Sequence, residues 1–346
     1  MRKKVSIFLA AVMAASMLTA CSSSETAQSG ATQEQTEASA QTQTGEESAS
    51  FAEQTADGQT YKVGVLQLTE HAALDASNEG FIAALDASGI SYKVDQQNAQ
   101  NDQSACQTIA TKLVSEENDL ILAIATPAAQ AVAGATSEIP IVGTAITDYA
   151  EAGLVNDNEA PGTNVTGTSD LTPVTEQIDL LTRIFPDAQR VGILYCSAEA
   201  NSQIQAEMAI AACEEKGLSS ETFTVSSSNE IQTVVESMVG KVDVIYAPTD
   251  NTIAAGMATV SMVATDNGLP IICGEAGMVE AGGLATYGID YYQLGYLAGE
   301  MAVSILKGEA SPAEMPIGYL DASKCELTVN EETAAALGVD LSVLDE

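Results

Sequence analysis

The side chains able to do chemistry collect just after short apolar runs. In chain order these are Gln67 with Thr69, Glu70 and His71, then Thr126, Thr144 through Asp148, and Ser169-Asp170. Tyr195, Thr249-Asp250-Asn251, Glu275 and Tyr287 follow. The set is rich in hydroxyls, amides and carboxylates and contains no lysine or arginine, so a phosphorylated or dianionic molecule would meet nothing positive. A single carboxylate can be held by hydroxyls and backbone N–H groups at helix starts, as after Thr126 and Thr249. Asp170, Asp250 and Glu275 can accept charge-assisted hydrogen bonds from an ammonium. Both together describe a grip on a small zwitterion, with Leu68, Tyr195 and Tyr287 available to line an apolar or aromatic side chain. Plainer readings stand beside these: Thr126-Pro127 and Thr249-Asp250-Asn251 suit helix caps, Asp170 suits a brace, and the tyrosines suit packing. No nucleophile or second base is placed beside Glu70-His71, so the pattern assigns no catalytic residue, and His71 reads as a loop residue near a cleft mouth.

Positioning such a set requires strand ends that converge. From Tyr61 the chain alternates β-branched runs with helical patterns: a strand at Lys62–Gln67, a helix at Asp75–Ala87, a strand at Ser91–Asp95 and a helix at Asp102–Ser115. A buried run at Asp119–Ala125, an alanine-rich helix and a strand at Ile139–Gly143 complete the series. The series then restarts, with strands at Arg190–Tyr195, Glu221–Val225, Asp243–Ala247 and Leu269–Gly274 separated by helices. Strands apolar on both faces and alternating with helices predict parallel sheets covered on both sides. The repeat predicts two similar doubly wound α/β lobes. In such sheets ligands sit beyond the carboxyl ends of the strands. Crossings near Gly162–Asp170, Leu284–Asp290 and Met315–Tyr319 would make a hinged clamp.

The ends and the composition bound the rest. Arg2, Lys3 and Lys4 precede an apolar run, Val5–Met17, that is too short to span a bilayer, and Leu18-Thr19-Ala20-Cys21 closes it. That ending resembles the lipobox of bacterial lipoproteins, which makes residues 1–21 a signal peptide and Cys21 the lipidated residue. Residues 22–60 carry seven acidic and no basic residues and read as a disordered acidic Ser/Thr/Gln linker. The formal net charge of −36 disfavours nucleic acid, whose phosphates need a basic footprint. Cys106, Cys196, Cys213, Cys273 and Cys325 are scattered and read as inert thiols, with one disulfide left open. With a single histidine and no cysteine cluster, the sequence offers neither a metal site nor a cofactor site.

Several segments resemble the substrate-binding lipoproteins of ABC transporters in the tryptophan/tyrosine-binding-like family. They are Val63–Gln67 with His71, Leu74-Asp75 and Glu79–Phe81, then Ala125–Gln130 and Pro161–Asp170. Val191–Tyr195, Pro248–Asn251, Tyr287–Gly295 and Asn330 with Ala334–Gly338 extend the likeness. The Pro161–Asp170 segment is the most specific. Tyr149 departs from the proline common in the family. The resemblance implies a type I periplasmic-binding-protein fold with a three-crossing hinge. It places residues 61–168 plus 286–316 in an N-terminal lobe and residues 169–285 plus 317–346 in a C-terminal lobe. By motif match, ligand contacts fall on Gln67, Thr126, Thr144, Ser169, Asp170, Tyr195, Thr249, Asp250 and Glu275, with Tyr287 added from its place at the crossing. The implied protein is a monomeric, extracytoplasmic, lipid-anchored binder of an amino-acid-like ligand, possessing no catalysis and partnered by an ABC permease and its ATPase. A ligand-sensing module for a membrane signalling partner, or an exported small-molecule enzyme, is the alternative.

Overall fold

Residues 58–344 are described by the computed structural model, so the expected signal peptide, Cys21 and nearly all of the expected linker lie outside the described residues. The chain runs β1 (Thr60–Gln67), α1 (Ala72–Ala87), β2 (Ser91–Asn98), α2 (Gln103–Ser115), β3 (Leu120–Ile124), α3 (Thr126–Ala135), β4 (Ile141–Ile146) and β5 (Val165–Ser169). It then crosses to α4 (Val174–Ile184), β6 (Arg190–Cys196), α5 (Ala200–Glu215), β7 (Ser219–Val225), α6 (Ile231–Met238) and β8 (Val244–Ala247). Helices α7 (Asn251–Ala255) and α8 (Met257–Asp266), β9 (Ile271–Cys273), α9 (Ala276–Glu280) and β10 (Ala285–Gly288) complete the second series. Returning segments are α10 (Tyr291–Leu306), β11 (Gly318–Tyr319), β12 (Glu326–Val329) and α11 (Glu331–Leu337).

Two six-stranded sheets result, ordered β11-β5-β4-β3-β1-β2 and β12-β10-β9-β8-β6-β7. All pairings are parallel except β10 with β12. The matching orders confirm two doubly wound α/β lobes, each with its own apolar core. Every residue of Leu120–Ile124 is buried, as a central parallel strand demands, and each large side chain there contributes about 1.5–3 kcal/mol by leaving water. Polar side chains cap some of the helix starts. Asp102 accepts from the N–H groups of Ser104 and Ala105, and Asp290 from that of Gln293.

Pairing moves three expected lobe boundaries. β10 is hydrogen-bonded to β9 and β12 in the second sheet, so the return crossing falls after Gly288 and not at residue 286. Gly318 and Tyr319 pair with Thr168 and Ser169 of β5, so the first sheet extends past residue 317 before the chain leaves again. Ser169, expected to open the second lobe, is the last residue of first-sheet strand β5. α10 packs on α1 and β4 of the first lobe. Cys106, Cys196, Cys213, Cys273 and Cys325 are free thiols, the first four buried.

Candidate functional site

The sheet orders reverse direction beside β1 and β3 in one lobe and beside β6 and β8 in the other, the points where α/β sheets open a crevice. A small, partly open cavity lies between the lobes at these ends. The first lobe contributes His71, Ala73, Leu74, Ala145 and Tyr291; the second contributes Asn201, Thr249, Asp250, Asn251, Ala254 and Glu275; and Asp170 comes from the first crossing. Asp170, Thr249, Asp250 and Glu275 of the sequence-predicted set are therefore brought together.

Each carboxylate is buried and partly committed. The Asp170 carboxylate accepts from Thr147 Oγ1 at 3.2 Å and from the Tyr291 hydroxyl at 3.0 Å. Asp250 caps α7, accepting from Ile253 N at 2.8 Å, and its other oxygen accepts from Cys196 N at 2.6 Å. Glu275 caps α9, accepting from Gly277 N at 2.5 Å and Met278 N at 2.9 Å. The cap reading of Thr249-Asp250-Asn251 is thus realised at Asp250, Glu275 caps a helix as well, and the remaining lone pairs of the three acids are what the cavity can offer. Desolvation raises all three acids: Asp170 to about 6, Glu275 to about 7, and Asp250 to about 8 with further repulsion from Glu199. No lysine or arginine lines the cavity. Lys112, Arg190 and Lys216 instead pair with Asp95, Asp243 and Asp179, all at partly exposed positions.

The other expected contacts do not line this cavity. Gln67 donates to Thr69 O at 2.8 Å and Asp75 Oδ1 at 2.6 Å, and it faces a separate polar groove with Asn78 and Gln96. Thr144 accepts from Thr168 Oγ1 inside the first lobe. A register shift between Gly143 and Ile146 leaves Ala145 at φ 55° and in the lining, where Thr144 is expected. Ser169 donates to Thr147 O at 2.7 Å and shapes the crossing. Tyr195 and Tyr287 pack against the second-lobe core, in line with the packing alternative. Thr126 is buried with an unpartnered hydroxyl, next to Ala125 at φ 83°, and α3 starts without a side-chain cap.

Sequence reasoning missed Asn201 and the ring of His71. Asn201 is buried, with Oδ1 unpartnered among the described residues, and its amide donates to Thr249 O. His71 stands at the cap position of α1 and reaches across to Asn251. Tyr149 is fully buried and donates to Thr168 O at 3.0 Å. A Cβ at Gly143 or Gly167 would meet its hydroxyl at 2.6 or 2.5 Å, so these glycines make room for the ring.

Direct hydrogen bonds also cross the cleft. Gln205 Nε2 donates to Thr147 Oγ1 at 2.9 Å, Asn101 Nδ2 to Thr252 Oγ1 at 2.9 Å, and Gln103 Nε2 to Ala198 O at 3.2 Å. The lobes are closed on each other.

Known proteins share this two-lobed fold. The profile of the family described as "ABC transporter substrate binding protein" matches residues 62–343. A tyrosine-binding protein of Clostridioides difficile (strain R20291) is 40% identical over 97% of this chain and 92% of its own. A Streptococcus pneumoniae ABC domain solved in complex with L-Trp is 41% identical, covers 83% of this chain and 98% of that one, and superposes with a TM-score of 0.80. The ligand-free, open structure of a Clostridium difficile substrate-binding protein with adhesive properties is 44% identical over 81% of this chain and 95% of that one, yet its TM-score is 0.62. A higher identity with a lower whole-chain score is what a different lobe angle produces.

Proposed function

Because the chain belongs to the family of ABC transporter substrate-binding proteins, we propose that it captures an amino acid, aromatic in its side chain, and releases it unaltered to an ABC permease and its ATPase. Proteins of this family work outside the cytoplasmic membrane. No helix among the described residues is long and apolar enough to cross a membrane. In our reading Cys21 carries the lipid that holds a monomer at the membrane surface.

The observation that carries the ligand class is Asp170, Asp250 and Glu275 buried around one cavity with no cationic side chain in its lining. Uncompensated buried carboxylates are costly, and a ligand ammonium is the counter-charge that relieves them. The tyrosine-binding relative and the L-Trp complex support the aromatic side chain.

Asp170 gives the cleanest test. Both oxygens of Asp250 and of Glu275 hold backbone N–H groups, so an amide there would set donor against donor. Asp170 is held by two hydroxyls, and a hydroxyl can reverse its direction. Asp170→Asn therefore keeps the local bonding and removes only charge. We expect it to weaken amino-acid binding by about 1.5–3 kcal/mol, the worth of a charged hydrogen bond, with the melting temperature of the free protein held or raised. Unchanged affinity by calorimetry would exclude Asp170 from ammonium binding. Quantitative recovery of the intact ligand after prolonged incubation tests the absence of turnover.

A further inference from the structure

One buried carboxylate dictates the direction of a hydrogen bond across the cleft. Glu199 is 3% exposed and accepts from Asn251 N at 3.2 Å, Asn251 Nδ2 at 2.6 Å, Thr252 N at 2.9 Å and Thr252 Oγ1 at 2.7 Å. An ionised carboxylate only accepts, so the Asn251 amide must turn its NH₂ toward Glu199 and its carbonyl toward the cleft. There Asn251 Oδ1 lies 3.2 Å from His71 Nε2. A carbonyl also only accepts, so Nε2 carries the proton. In a neutral imidazole this leaves Nδ1 as a bare lone pair. Burial drives His71 toward the neutral form, against the opposing pull of Glu199 and Asp75. Nδ1 is buried and has no partner among the described residues, and His71 lines the cavity.

Asn201 points the same way. Its amide donates to Thr249 O and Ser202 Oγ, which leaves Oδ1 buried and unpartnered in the same lining. With Asp170, Asp250 and Glu275, the polar side chains named so far present acceptors to the cavity. An ammonium is matched best by the carboxylates. A neutral ring nitrogen is matched by a neutral N–H or O–H.

We propose that His71 Nδ1 accepts a hydrogen bond from a neutral N–H or O–H donor on the ligand side chain, and that Glu199 and Asn251 are positioning residues that fix its tautomer across the closed cleft. The proposal rests on the amino-acid reading above and narrows it to side chains bearing a donor, such as a phenol or an indole. Glu199 and Asn251 belong to the second lobe and His71 to the first, so the acceptor is set when the lobes meet. A ring lacking the donor leaves the bare nitrogen buried and penalises closure.

His71 is the only histidine in the chain, so its ¹⁵N-labelled imidazole gives one unambiguous pair of ring resonances. The tyrosine-bound protein should show Nε2 protonated and Nδ1 bare, and Glu199→Gln should shift that pair toward a mixture of tautomers. Calorimetry with tyrosine and phenylalanine separates the two ring nitrogens. His71→Gln keeps a donor toward Asn251 but lacks an acceptor at the Nδ1 position, whereas His71→Asn keeps that acceptor and loses the reach to Asn251. The unaltered protein should prefer tyrosine by about tenfold or more, His71→Asn should retain most of that preference, and His71→Gln should lose it. A protonated Nδ1, or a preference that survives His71→Gln, overturns the inference. Failure of the unaltered protein to bind tyrosine, phenylalanine and tryptophan alike would overturn the proposed function instead, while the ring resonances of the ligand-free protein still decide the tautomer.

Discussion

Asp170, Asp250 and Glu275 hold protons over a range in which the unfolded chain has already lost them. Their folded values of about 6, 8 and 7 lie above the ordinary carboxyl range near 4, chiefly through desolvation. A carboxyl raised by folding contributes stability that is complete below its unfolded pKa and is lost as pH rises through its folded one. The ligand-free protein should therefore melt at higher temperature as pH falls from about 8 toward 4. An ammonium favours the ionised acids, so binding should release protons, and affinity should rise between about pH 6 and 8. Calorimetry in two buffers of different ionisation enthalpy measures that release, and proton-neutral binding would contradict the assignment. Tyr149 supplies a contrast. Among the described residues its hydroxyl bonds Thr168 O alone, so Tyr149→Phe should cost about 1 kcal/mol in urea unfolding and leave ligand affinity unchanged. Asp250 and Glu275 were legible because each stands within three residues of the end of an apolar run, and Asp170 because it stands in the first crossing. Thr144 was misplaced because the register shift at Gly143–Ile146 reverses which side chain faces out, and no local pattern announces it. Asn201 was missed because its role depends on where the start of α5 meets β8, not on its neighbours in sequence.

At the level of elements, the central strands were readable from their continuous apolar runs, and the observed bounds differ by a few residues. α4 stands between Asp170 and Arg190, where no element is expected, and Gly256 divides the helical stretch between β8 and β9 into α7 and α8. β11 and β12 are too short for periodicity to signal, and which sheet they join is settled by tertiary pairing. The join between α1 and α10 is the element contact with least slack. A Cβ on Gly295 would lie 1.9 Å from Ser77 O, and one on Gly80 would lie 2.0 Å from Tyr292 O, so backbone stands against backbone. Alanine in a helix interior ordinarily gains about 1 kcal/mol over glycine, but overpacking against a fixed carbonyl costs about 1–3 kcal/mol. Gly295→Ala should therefore lower stability, by up to about 2 kcal/mol, seen as a lower urea midpoint. A midpoint unchanged or raised would mean that α10 can move away from α1 at little cost.

For the whole molecule, the decisive quantity is the balance between open and closed lobes. A ligand shifts that balance only by its differential affinity for the two states, so contacts that join the lobes directly set the starting point. Gln205 is the most buried of these. Held on α5, it donates to Thr147 of the first lobe and to Thr249 of the second, and Thr147 in turn donates to Asp170. The bridge thus connects a cavity residue of the second lobe to the acid at the crossing. Gln205→Met preserves volume and removes the donors. Losing one net hydrogen bond of about 1 kcal/mol from the closed state shifts the equilibrium roughly fivefold toward open. Because the closed form binds, the dissociation constant rises by up to that factor, and by less where the closed form predominates without ligand. Distance distributions between spin labels on the two lobes should then broaden toward longer separations in the ligand-free variant and return to the unaltered distribution when ligand saturates it. A variant that loses affinity with its ligand-free distances unchanged would show that Gln205 acts on the site through Thr249 alone and that closure is governed by the outer contacts of Asn101 and Gln103.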